Sequence, residues 1–144
     1  MKSKKYGYNY LDDIATADAA FEVSAADLKQ LFELSAEAMF NIIMDIDKVP
    51  PTAGSRVNLK SDSLEELLYL FLSELLYLKD INQMIYSNFC VNINGCYDLN
   101  AVVSGEKFEK IGISPKIDIK AVTYYNFKVE RRGDDYYAVV VVDL

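Results

Sequence analysis

An α+β fold, two helices packed on a mostly antiparallel sheet in a two-layer sandwich, is what the apolar pattern of this chain predicts. Three observations carry the prediction. Two segments repeat their apolar residues at helical spacing, one from Leu28 and one from Leu64, each behind a capping signal. Nearly all the rest alternates with the period of two that marks half-buried strands. Turn signals at Asn94-Gly95 and around Gly133-Asp134 then join those strands into hairpins. A length of 144 residues suits one domain, residues 1–144, with a single well-buried core.

The first strand is read from Tyr6, Tyr8 and Tyr10, which alternate with Gly7 and Asn9, and the second from Ala17, Ala19, Phe21 and Val23. Between them runs Asp12-Asp13-Ile14-Ala15-Thr16-Ala17-Asp18. A turn here spends its polar residues on carboxylates, which repel one another unless a cation or hydrogen-bond donors compensate. It reads either as a solvated turn with a capping Asp or as a site for a hard cation. Ser24-Ala-Ala-Asp27 has the form of a capping box, and Leu28, Leu31, Phe32, Met39, Ile42 and Ile43 continue it as an amphipathic helix to about Asp45. Pro50 and Pro51 stop it. Val57 and Leu59 then mark a short edge strand.

Ser63-Leu-Glu-Glu66 is a second capping box. The helix behind it runs to about Leu78 and is apolar around much of its girth, so it is expected between a sheet and a second element; its leucine and tyrosine stripes read as core. Phe89, Val91 and Ile93 alternate up to Asn94-Gly95, and Tyr97, Leu99, Ala101 and Val103 alternate after it. Gly105-Glu-Lys-Phe108 ends this hairpin, residues 109–118 connect, and a last hairpin pairs residues 121–130 with 136–144. A loop centred on Gly133-Asp134 sets Lys128 opposite Val139 and Tyr124 opposite Asp143. On that register Tyr125, Phe127 and Val129 face the core with Val142, Val140 and Ala138, while Asp143 shares the other face with Lys120 and Tyr124 nearby. Asp143 is therefore a second anionic group held at a strand end.

Composition removes whole classes of chemistry. There is no histidine, so Ser-His-Asp and Cys-His nucleophile systems, imidazole bases and His-containing zinc sites are excluded. Carboxylate, lysine, tyrosine and thiol remain, a set that favours Mg²⁺, Ca²⁺ or Mn²⁺ on oxygen ligands for any metal bound. A net charge of −7 with scattered basic residues gives little grip on nucleic acid except through a partner. The longest apolar run, Leu67 to Leu78, is broken by Glu74 and falls short of the roughly 20 residues that cross a bilayer. No apolar segment follows Lys2, Lys4 and Lys5, and Cys90 and Cys96 read as reduced thiols, so a cytoplasmic protein is expected.

Several strings, taken in order, resemble a known family. They are Thr16-Ala-Asp18, Ala38-Met-Phe-Asn-Ile-Ile-Met-Asp45, Leu72-Ser-Glu-Leu-Leu-Tyr-Leu78, Gly105-Glu-Lys-Phe108, Lys120-Ala-Val-Thr-Tyr124 and Val142-Asp-Leu144. The chain is similar along nearly its whole length to the archeases, accessory proteins of the RNA ligase that joins 3′-phosphate and 5′-hydroxyl ends in tRNA splicing. The resemblance implies an α+β sandwich containing a strand-helix-strand-strand module. It implies a divalent cation held by Asp18 and Asp143, with oxygens from Leu144, and a role in promoting guanylylation and multiple turnover of the ligase rather than catalysis. RNA is then met only through the ligase. Two residues depart from the family pattern. Ala15 precedes Thr16 where archeases carry His, and Tyr125 stands where they usually carry a second His. Either the site needs oxygen alone, or Asp12 or Asp13 substitutes, or the site has drifted; Lys120 is a candidate to neutralise the carboxylates without metal. The alternatives are a metal-dependent phosphoryl or nucleotide-handling enzyme on the same carboxylates and a metal-free, chaperone-like interaction domain.

Overall fold

The computed structural model describes residues 5–11, 18–115 and 117–144. Its elements run β1 (Gly7–Leu11), β2 (Asp18–Ala25), α1 (Leu28–Ile43), β3 (Ala53–Lys60), α2 (Leu64–Asn82), β4 (Met84–Asn94), β5 (Asp98–Lys107), a single turn α3 (Phe108–Ile111), β6 (Ala121–Arg132) and β7 (Asp135–Asp143). The α+β sandwich is as expected. The strands, however, form two antiparallel sheets in place of one, ordered β1-β2-β7-β6 and β3-β5-β4. β3 is an edge strand, as its short polar pattern predicts.

Both helices bridge the two sheets, which accounts for their wide apolar faces. α1 packs on β2 and β7 of one sheet and on β4 of the other; α2 packs on β6 and on β3 and β4. The core lies between them, with Phe21, Phe32, Met39, Phe71, Leu72 and Val140 fully buried. Phe32 and Phe71 meet where the helices touch, ring centres 5.8 Å apart. Burying such side chains is the main favourable contribution, about 1.5–3 kcal/mol each.

The helix starts separate a right reading from a shifted one. Ser63 caps α2, its Oγ accepting from the Glu66 main-chain N–H at 3.2 Å. The reciprocal half of the box is relayed: Ser61 Oγ accepts from Ser63 N–H and donates to the Glu66 carboxylate. For α1 the cap is Asp27 rather than Ser24, its carboxylate accepting from Gln30 N–H at 2.8 Å while the Gln30 side chain accepts from Ala26 N–H. Ser24 stays in β2, where Tyr137 pairs with it, so the ladder displaces the cap by three residues.

The strings that resembled a family have structural work here. Tyr8 and Tyr10 of β1 lie over α1; Asn41 donates to the Tyr8 hydroxyl at 2.8 Å, accepts from Ile46 N–H, and the Tyr10 hydroxyl donates to the Ala38 carbonyl. In Gly105-Glu-Lys-Phe108, Gly105 pairs with Tyr86 beside the irregularity that Ser87 makes in β4. Lys107 Nζ and Phe108 N–H satisfy the carbonyls of Asn82 and Gln83 at the end of α2.

Candidate functional site

β7 lies inside its sheet, flanked by β2 and β6. On the β2 side the register sets Asp18 directly opposite Asp143, followed by Ala20 opposite Val141 and Glu22 opposite Val139. Residues opposite each other in an antiparallel pair share a face, so both carboxylates stand on the side of the sheet away from the core. Phe21, Val23, Val140 and Val142 on the intervening positions fix which side that is, because they belong to the main hydrophobic core and Ala20 and Val141 do not. On the β6 side Ala121 is opposite Asp143, and the Lys120 main-chain N–H donates to the Asp143 carbonyl at 2.8 Å. The strand end carrying Asp143 is thus held from both flanks, and the Leu144 side chain packs against the core just beyond it.

The register near the turn is the expected one, with Lys128 opposite Val139, but it does not persist. Tyr124, Tyr125, Asn126 and Phe127 stand against Val140 alone, a bulge that Asn126 enters at φ 54°. Asn adopts this left-handed conformation more readily than most residues. The bulge therefore replaces the expected Tyr124 opposite Asp143 with Ala121. Phe127 still turns into the core, whereas Tyr125, expected beside it, is 67 % exposed. Lys120 reaches Asp143 through its main chain only; among the described residues its ammonium makes no ion pair with either carboxylate.

Asp12, Asp13, Thr16 and Ala17 lie outside the described residues. Among the described residues no three His, Cys, Asp or Glu side chains converge as a ready-made metal cage. What converges is Asp18 and Asp143, both half-buried and, among those residues, without a hydrogen-bond or ion-pair partner for either carboxylate. Thr123 is on the same face, opposite Val141 and two residues from Ala121, and its buried Oγ1 finds no partner among the described residues. The contrast with Glu22 is instructive. Two positions along the same face, Glu22 accepts from the Tyr137 hydroxyl at 2.7 Å, and the Tyr137 pKa is raised first by burial and then by that bond. Two like charges directly opposite each other destabilise a ladder unless a cation offsets them. An all-oxygen donor set of this kind fits Mg²⁺, Ca²⁺ or Mn²⁺.

Two features escaped the sequence reading. Lys79 is 2 % exposed, its Nζ 2.7 Å from Asp80 and 2.9 Å from Asp118. Burial alone pulls its pKa down, but the hydrogen bonds and charges of Asp80 and Asp118 outweigh that and hold it above the ordinary lysine value. The signal was present: Lys79 falls four residues after Leu75 on the buried stripe of α2. The second is an aromatic pair, with the Tyr124 ring stacked on Tyr69 at 3.9 Å between centres. It joins the β6 bulge to α2 and had no counterpart in periodicity.

Comparison with known proteins places this geometry. Residues 8–144 match the model of the Archease protein family (MTH1598/TM1083). The chain is 38 % identical to protein archease of Methanosarcina barkeri over 148 aligned positions that cover all of both chains. It is 37 % identical to protein archease of Pyrococcus furiosus, covering 83 % of this chain and 86 % of that one. The solution structure of Methanobacterium thermoautotrophicum protein 1598 superposes with a TM-score of 0.84 at 31 % identity, over 96 % of this chain and 99 % of that one. The crystal structure of a Thermotoga maritima archease, described as a possible chaperone, shares the fold with a TM-score of 0.62 at 20 % identity, over 100 % and 98 % of the two chains. By sequence along almost its entire length, and by fold, the chain belongs to the archease family.

Proposed function

We propose that this archease activates the RNA ligase that joins 3′-phosphate and 5′-hydroxyl ends in tRNA splicing, promoting its guanylylation and multiple turnover, and that a divalent cation held by Asp18 and Asp143 is part of that action. The observation that carries the reading is the β2–β7 register, which sets these two carboxylates opposite each other on one face. Leu144 would add main-chain or terminal oxygens, and Asp13 is the further candidate ligand. The bound cation, Ca²⁺ or Mg²⁺ or else Mn²⁺, supplies positive charge at a protein surface that is otherwise acidic.

The chain's own residues do the rest. Asp18 and Asp143 bind, and the Lys120 N–H fixes the main chain of Asp143. Leu144 anchors the strand end by packing. RNA is reached through the ligase, since a net charge of −7 opposes direct phosphate contact. A role through another protein also agrees with the absence of histidine, which leaves the pair without an imidazole base. No helix among the described residues is long and apolar enough to cross a membrane.

The test is mutational. Asp18→Ala and Asp143→Ala should leave the fold intact, as judged by circular dichroism, and abolish stimulation of the cognate ligase under multiple turnover. Calorimetric titration with Ca²⁺, Mg²⁺ and Mn²⁺ should show binding lost in the same two variants. Undiminished stimulation by both would sink the assignment of the site.

A further inference from the structure

We propose that the groove between α2 and the free edge of β6 receives an arginine side chain from a basic segment of a protein partner. The inference deepens the reading above by naming the chemistry of one partner contact, and it rests on that reading. β6 ends its sheet, pairing with β7 on one side only. Along it α2 presents Tyr69, Ser73, Tyr77 and Asp80 at helical spacing, and these line a groove of about 270 Å³ whose other wall is Lys120 and Ala121. Tyr77 is 60 % exposed and Tyr124, stacked on Tyr69, is 57 % exposed. Phe127 sets its ring edge-on to both stacked tyrosines from beneath, so the pair is a supported platform and not two loose side chains.

Carboxylates sit at both ends of this platform. Glu66 and Glu65 are near enough to Tyr124 to help raise its pKa, behind desolvation and the Tyr69 ring. Asp80 and Asp118 stand exposed at the other end, where Lys79 is sunk beneath them and Lys120 is the one cation among the described residues that line the groove. Tyrosine faces rimmed by carboxylates suit a guanidinium, whose plane stacks on the ring while its N–H fork meets an acid. The chain uses the same combination internally. Arg132 lies 3.6 Å above the Tyr137 ring centre while its Nε donates to Glu130 at 2.7 Å. An aromatic platform also suits an RNA base, but the phosphates of a strand would meet these carboxylates and a net charge of −7.

The experiment is a titration of the whole chain followed by nuclear magnetic resonance. The probes are acetyl-Gly-Arg-Gly-Arg-Gly-amide, the same peptide with lysine for arginine, and an oligouridylate; the variants are Tyr77→Ala and Asp80→Asn, each checked for a retained fold by circular dichroism. Saturable shifts of the Tyr69, Tyr77 and Tyr124 rings are expected with the arginine peptide, about fivefold weaker binding for the lysine peptide, and at least about fivefold weaker binding in each variant. The proposal is overturned by absence of saturable groove shifts at millimolar peptide, by undiminished binding in both variants, or by groove shifts with oligouridylate and not with peptide. The titration needs no ligase, so its failure is read separately from failure of the Asp18 and Asp143 variants to alter stimulation.

Discussion

Gly105 has no room for a side chain. A Cβ there would run into the main chain of Ile85 and Tyr86, where β5 crosses the irregularity at Ser87. Gly105→Ala should therefore destabilise by about 3 kcal/mol, seen as a lower urea midpoint at unchanged slope. Its importance was legible in the sequence only as a motif; the close approach behind it was not. Asp18 and Asp143 show the same division. Each was identifiable as a carboxylate at a strand end. That they face each other follows from the pairing of β2 with β7, two segments that no local signal connects. Lys79 was missed for a related reason: the apolar spacing ends at Leu78, and the pairing with Asp80 and Asp118 is what lets a lysine continue the buried stripe.

At the scale of elements, the last hairpin shows how far counting from a turn can go. The two-residue loop at Gly133-Asp134 fixes the pairing of Lys128 with Val139, and the bulge then cancels the count before it reaches Asp143. Nothing in Tyr124-Tyr-Asn-Phe127 announces a bulge, because alternation continues through it; the break shows in the pairing and in the positive φ of Asn126. Connections between elements carry their own asymmetry of cost. Lys79 ties α2 to the segment leading into β6. Lys79→Met leaves two exposed, hydrated aspartates and fills the same space, so a change within about 1 kcal/mol is expected. The Asp80→Asn, Asp118→Asn double variant strands a buried ammonium and should cost about 3–5 kcal/mol, measured by thermal or urea denaturation of both proteins. The sign of the pH dependence follows from the raised Lys79 pKa. Its stabilising effect is complete below the unfolded value of 10.5 and is lost as pH rises through the higher folded value, so raising the pH through that value should erase the difference between wild type and the double variant.

For the whole molecule, fold class and the two-helix content were legible because both rest on periodicity within single segments. Division of the strands into two sheets was not, since it depends on which distant strands pair and on helices wide enough to bridge both sheets. The position of the proposed cation site, at the strand end formed by Asp143 and Leu144, gives a test at this scale. A tag fused after Leu144 should weaken divalent-cation binding more than the same tag ahead of Met1, by calorimetry. β7 also has a temporal meaning. It is made after both of its neighbours, yet it fills the interior of its sheet, so β2 and β6 have a gap between them until synthesis has passed residue 143. Asp18, made well ahead of Asp143, meets its counterpart only when this gap closes. The carboxylate pair thus comes into being with the completed fold, and a partly synthesised chain carries none of it.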